Sequence, residues 1–213
     1  MDTYLTNHSI PDNVTIKSIT CKVETNKNDI DLKHIYNNAT VSKEGIQIIK
    51  HNGFIKSIAE TLSNKKRRRL VTSKCYNNAI TFIFEHNSIK LFPNGNLHVV
   101  GIYDVDTIQS CVNEILTVIG PGSEIIEITV CMLNYLIPFV DLNLLKTKLK
   151  ESDKVFFNNY SGEIYKYENN TLFLIKDGVV VSSKCFEDVN KVSYLIKSFV
   201  PPSSFRWYKP WTW

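Results

Sequence analysis

SIKLFPNGNLHVVGIYDVDTIQSCVNEIL, residues 88–116, is echoed by TLFLIKDGVVVSSKCFEDVNKVSYLIKSF, residues 171–199. Gly95 falls on Gly178, Leu91 and Phe92 on Leu174 and Ile175, Leu97 on Val180, and Val100 on Ser183. Each copy runs strand, glycine turn, strand, and then a segment with helical spacing. A duplication of this kind sets the architecture first, because one supersecondary unit is built twice.

With 213 residues, 43% of them apolar, the chain can bury a substantial core but is short for two ordinary domains. Two fused half-domains fit better: residues 14–120 and 121–200, between an N-terminal tail of 1–13 and an aromatic tail of 201–213. No run of about 18 apolar residues occurs. The start, MDTYLTNHSIPDN, has neither the basic nor the apolar region of a signal peptide. A soluble, intracellular chain with no membrane contact is expected.

The five cysteines are odd in number and never form a C-x-x-C pair, which argues against a disulfide frame or zinc knuckle. No P-loop, nucleophile-histidine-carboxylate order or histidine-rich metal spacing appears. Asp104 and Asp106 could hold a cation, but they stand where a helix begins and carboxylates suit the helix dipole. No enzyme activity and no cofactor or metal is expected. Net charge is only +4, yet Lys65, Lys66, Arg67, Arg68 and Arg69 are consecutive. Such a run is a solvated loop, a localisation signal or a phosphate contact.

Along the chain, VTIKSITCKV from Val14 alternates as a half-buried strand does. Asp31 can cap a short helix carrying Leu32, Ile35 and Tyr36. SKEGIQIIKHNGFIKSIAETL predicts one or two further helices broken near Asn52 and Gly53, inside an insert of about 42–74 with no counterpart in the second half. AITFIFE, SIKLF and NLHVVGI then form a three-strand meander, and Asp104 to Ile119 a helix. The second half repeats the order: a strand in GSEIIEITVCMLNYLI, a helix capped by Asp141, strands in EIYKYEN, TLFLI and VVVSSK, and a helix from Glu187 to Phe199. The expected fold is α+β, a ten-strand antiparallel sheet with helices on one face. Apolar residues fall on both faces of several strands, so the uncovered face should dock onto something large.

Strand, glycine turn, strand and helix, twice over, resemble the TATA-box-binding protein family. SIKLFPNGNLHVVG and NTLFLIKDGVVVSS are similar to its signature of an apolar strand ending in Ile-Phe, a Ser-Gly-Lys turn and Val-Val-Thr-Gly. The resemblance runs from about Val14 to Val200 outside the insert, and is greatest to the divergent homologues of large DNA viruses. It implies two pseudo-symmetric repeats forming a saddle, with a curved sheet and helices on the convex face.

The resemblance also implies a site: the concave face on the minor groove, with apolar wedges kinking the duplex, a mechanism for which this family is the standing example. Tyr76 and Phe92 match one wedge pair, and Tyr160 and Ile175 the other. Groove-lining positions correspond to His98 and Val100 in the first repeat, and to Val181 and Ser183 in the second. Lys166 matches a phosphate-contacting Arg, whose place in the first repeat is taken by Phe82. The family's central Asn pair is replaced by Ser18 and by Ile128 or Thr129. Ser can donate one hydrogen bond to a minor-groove acceptor, and Ile none.

The function so implied is transcription initiation. The chain would bend promoter DNA and recruit a TFIIB-like general factor and an RNA polymerase, virus-encoded in the viral case. The alternative is a TBP-like assembly module of a transcription complex with weak or no DNA binding of its own, favoured by the lost Asn pair and the low charge. Location would be the host cytoplasm or virion for a viral protein, and the nucleus otherwise. The tail SSFRWYKPWTW could anchor in a partner through Trp207, Trp211 and Trp213.

Overall fold

A computed structural model describes residues 10–11, 13–58, 78–103, 105–138, 141–152, 155–158 and 164–199. The described chain is α+β. Its elements are β1 (Thr15–Thr25), α1 (Leu32–Asn38), β2 (Ile48–His51), β3 (Phe54–Ser57), β4 (Ile80–Ile83), β5 (Ser88–Leu91), β6 (Leu97–Ile102) and α2 (Val105–Ile119). The second half follows with β7 (Ile125–Pro138), α3 (Leu142–Glu151), β8 (Phe156–Asn158), β9 (Ile164–Tyr167), β10 (Asn170–Ile175), β11 (Gly178–Ser183) and α4 (Glu187–Phe199).

Two compact units form, and they trade halves of two strands. Among the described residues, the first gathers Thr20–Thr129, and the second joins those up to Ile19 to those from Val130 onward. β1 and β7 each give one half to either unit, so the junction expected at Pro121 is not where the units part. In the first unit the strand order is β3-β2-β4-β5-β6-β1-β7, and in the second β1-β7-β11-β10-β9-β8.

Alternation along each strand sorts side chains into two faces. On β1, Ile19, Cys21, Val23 and Thr25 are buried, while Ser18, Thr20, Lys22 and Glu24 between them are half-buried. In the first unit the buried face continues through Ile80, Phe82, Ile89, Leu91, Leu97 and Val99. α2 packs on β6 and closes that side with Ile108, Val112 and Ile115, all fully buried. In the second unit Leu133, Tyr135, Ile137, Leu172, Val179 and Val181 form the equivalent layer, with Val189, Val192 and Ile196 of α4 buried as well.

The helix starts expected from sequence are in place. Asp31 accepts hydrogen bonds from the backbone N–H of Lys33 and His34, both at 3.0 Å, and Leu32 and Ile35 turn inward. Asp141 accepts from Leu144 N–H at 2.9 Å, with Leu145 and Leu149 buried beneath. Each such cap contributes about 1 kcal/mol.

Over residues 48–57 the segment read as helices is instead a hairpin, and its last residues, 59–62, lie outside the described residues. Ile48 pairs with Ser57 and His51 with Phe54 around Asn52 and Gly53, whose φ angles are +46° and +84°. Two consecutive left-handed residues make the tight turn whose twist matches paired strands, and Asn-Gly is the sequence that adopts it most readily. The local turn chemistry therefore overrides the helical spacing of the flanking apolar residues. The insert also begins later than Ser42. β2 pairs with β4 as β8 pairs with β9, so β2 has a counterpart and β3 is the added edge strand. It raises the strand count to eleven among the described residues.

Candidate nucleic-acid interface

The site residues expected from sequence fall on the face away from the helices only where their strand register allows it. In the first unit, Lys90 stands directly opposite His98, and Ser88 opposite Val100, on the face that alternates with the buried layer. Directly opposed residues share a face, so His98 and Val100 both belong to this open side. Phe92, one step beyond buried Leu91, alternates to the same side and is half-buried.

In the second unit, Val181 and Ser183 are on the other side. Val181 is 0% exposed and Ser183 2%, and the Ser183 hydroxyl donates to Tyr135 Oη at 3.1 Å inside the core. Burial, only partly offset by that hydrogen bond, holds the Tyr135 phenol far above its usual value. Val180 and Ser182 are the residues on the open face. The reason is turn length. Leu91 pairs with Leu97, whereas Leu174 pairs with Val179, so the first hairpin holds one residue more. Gly95, at φ +79°, ends a three-residue turn, while Gly178 already lies in β11, paired with Ile175. Aligning glycine on glycine thus slips β11 by one residue, and a slip of one exchanges the faces.

The same accounting moves the counterpart of Lys166. Lys166 pairs with Thr171, and the matching pair in the first unit is Ile83 with Ser88, so Ile83 and not Phe82 holds that place. Phe82 is fully buried in the core, as is Tyr165 at its equivalent. Ile175, the expected second-repeat wedge, is 40% exposed on the open side. Tyr76, Tyr160, the run Lys65 to Arg69 and the aromatic tail lie outside the described residues.

Two cross-strand rows organise the open face of the second unit. One is polar: Lys166, Thr171, Ser182 and Asn134 stand opposite one another in turn. It is linked by hydrogen bonds, Lys166 Nζ donating to Thr171 and Asn134 Nδ2 donating to Ser18 Oγ at 3.0 Å. The other is apolar: Ile164, Phe173, Val180 and Leu136. Asn134 went unnoticed in the sequence. Its signal is a single amide in the otherwise apolar run CMLNYLI. Ser18 accepts from Asn134, and a hydroxyl that accepts one bond can still donate another. Ile128 is half-buried, and Thr129 is exposed with its hydroxyl 3.3 Å from Glu127.

In the first unit the chemistry of the rows is exchanged. The row equivalent to Ile164, Phe173 and Val180 reads Thr81, Lys90, His98, and continues on β2 as Lys50. The row equivalent to Lys166, Thr171 and Ser182 reads Ile83, Ser88, Val100. At the outer strand this face is not open: Ile48 is 1% and Lys50 2% exposed. Lys22 on β1 is paired with Glu24. No group of histidine, cysteine and carboxylate side chains fit to hold a metal ion occurs among the described residues, nor any helix long and apolar enough to cross a membrane.

The chain matches no protein-family model and no curated protein sequence. Among solved structures it is similar to a TBP of Methanococcus jannaschii, over 88% of this chain and 97% of that one, with 12% identity and a TM-score of 0.56. With the strand order, the exchanged strand halves and the helices on one face of the strands, this likeness establishes that the chain has the fold of a TBP.

Proposed function

We propose that the chain is a TBP-like transcription initiation factor whose open strand face binds promoter DNA in the minor groove and bends it. The observation that carries this reading is the open face itself. Strands of a half-covered sheet normally turn polar side chains to water. Here Phe173, Val180, Met132 and Ile175 stand beside a row of hydrogen-bonding groups on that side. A surface of apolar contact interleaved with donors suits the floor of a minor groove, where sugar edges are apolar and base edges accept. In this reading Phe92, one residue past β5, and Ile175, the last residue of β10, act as the wedges, for which Ile serves as Phe does.

In this reading the helix side recruits a TFIIB-like factor and an RNA polymerase, and the chain does no chemistry of its own. The likeness to the homologues of large DNA viruses extends the proposal to a virus-encoded polymerase and to action in the host cytoplasm or virion, and otherwise in the nucleus. One observation favours a second reading, an assembly module with little DNA affinity: the buried outer end of the first unit's face at Ile48 and Lys50 shortens the surface a duplex could use.

Duplex binding measured against salt separates the two. A minor-groove binder loses affinity steeply as salt rises, and energy transfer between dyes at the duplex ends increases as the DNA bends. An affinity indifferent to salt, or binding without bending, overturns the first reading.

A further inference from the structure

β3 is the strand without a counterpart in the second unit, and among the described residues it ends the sheet. An open strand edge offers unpaired N–H and C=O groups, and folded proteins blunt it with lysine, proline or a bulge. β3, FIKS, has no proline, and its one charge is turned away. Lys56 Nζ donates to the main-chain carbonyls of Tyr36, Asn37 and Ala39 at 2.5, 2.9 and 3.0 Å, and lies 4.9 Å from the centre of the Tyr36 ring. The ammonium therefore caps the C-terminal end of α1 and does not guard the edge. Beside it, Phe54 is 66% and Ile55 38% exposed.

We propose that this edge pairs, antiparallel, with the β3 edge of a second copy of the chain. In a hairpin closed by a two-residue turn the pair next to the turn, His51 with Phe54, exchanges both main-chain bonds, and the following pair, Lys50 with Ile55, exchanges none. The N–H and C=O of Ile55 and of Ser57 thus face outward. The strand complements itself in a register centred on Ile55. Ile55 then meets Ile55 of the second copy through two main-chain bonds, and Phe54 lies along the apolar stem of that copy's Lys56. Ser57 falls opposite Gly53, where an added Cβ would find nothing within 4 Å, so the incoming strand has room. A register centred on Lys56 would instead set two ammonium groups face to face, which is destabilising. Charge thus selects the register, and the neutral, apolar remainder of the edge matches its own copy. Such a contact uses the same strand twice and closes at two chains. It involves the first unit alone and is independent of the DNA-binding reading.

Sedimentation of the full chain from about 1 to about 200 μM tests the pairing. Four residues make a small contact, so dissociation on the order of 10–100 μM is expected. Wild type should pass from monomer to dimer over that range and go no further. Ile55→Lys should weaken the dimer at least about tenfold with the urea midpoint nearly kept, because two ammonium groups then meet across the pair and an apolar contact is lost. Phe54→Lys, which faces Lys56 of the second copy, should act in the same way from a more exposed position. A wild type that stays monomeric throughout, or a dimer that both variants leave intact, overturns the assignment. A monomeric wild type that binds a dye-labelled valine-threonine peptide, which Ile55→Lys refuses, also overturns it and gives the edge to another protein's strand.

Discussion

Val180 and Val181 are neighbours with opposite duties, and the difference is measurable. Val181 is fully buried among the core strands, so Val181→Ala should cost about 2 kcal/mol of stability by opening a cavity. Duplex affinity per folded molecule should not change. Val180→Ala should cost less than about 1 kcal/mol, as a half-buried surface change, and weaken duplex binding. Urea denaturation and a binding titration on the two variants check the face assignment, and the reverse pattern would contradict it. His98 adds a pH dependence. Burial first, and the Lys90 ammonium second, hold its imidazole below the usual 6.5. As pH falls through that value the unfolded chain takes up the proton before the folded one, so stability present above it is lost below. His98→Val should lose less stability than wild type between pH 7.5 and pH 5.5, as read from denaturation midpoints.

Turns decide the elements, and two glycines at positive φ should respond differently to alanine. A Cβ on Gly53 meets nothing within 4 Å, so Gly53→Ala should cost only the backbone strain of about 1 kcal/mol. A Cβ on Gly95 would stand 1.8 Å from the Lys27 carbonyl oxygen and 2.8 Å from Thr25 Oγ1, which itself donates to the Gly95 carbonyl. Gly95→Ala should therefore cost at least about 3 kcal/mol, as overpacking and strain add. Thermal unfolding of both variants ranks them, and equal losses would contradict the role given to the Gly95 turn. The same turns mark what was legible in the sequence. The duplicated hairpins, the Asp31 and Asp141 caps and the core stripes of α2 and α4 were readable because apolar period and capping chemistry are local. The hairpin of β2 and β3 was misread because IQIIK and FIKSI fit a helix as well as a strand, and only Asn52-Gly53 decides. The slip that put Val181 and Ser183 on the wrong face came from two glycines that look equivalent but end turns of different length, a property of pairing that residue identity does not carry.

At the scale of the molecule, duplication with divergence is the main result. Both units keep the covered layer: Phe82 answers Tyr165, Leu91 answers Leu174, and Val99 answers Val181, all but Leu174 fully buried. The open faces have diverged, polar row against apolar row, as expected when packing constrains one side of a strand and a ligand the other. Asn134 was missed for this reason: its donor bond to Ser18 arises from pairing between distant segments, and neither residue announces it alone. The central claim, that this open side is the DNA-binding surface, is tested most directly by placing charge on each side in turn. Ser182→Glu with Thr171→Glu adds carboxylates to the open face, and Tyr194→Glu adds one to the exposed side of α4. Bending-coupled duplex binding should be abolished by the first, with the urea midpoint nearly kept, and left unchanged by the second. Undiminished binding by the Ser182→Glu, Thr171→Glu protein, or its loss in Tyr194→Glu alone, would contradict the account.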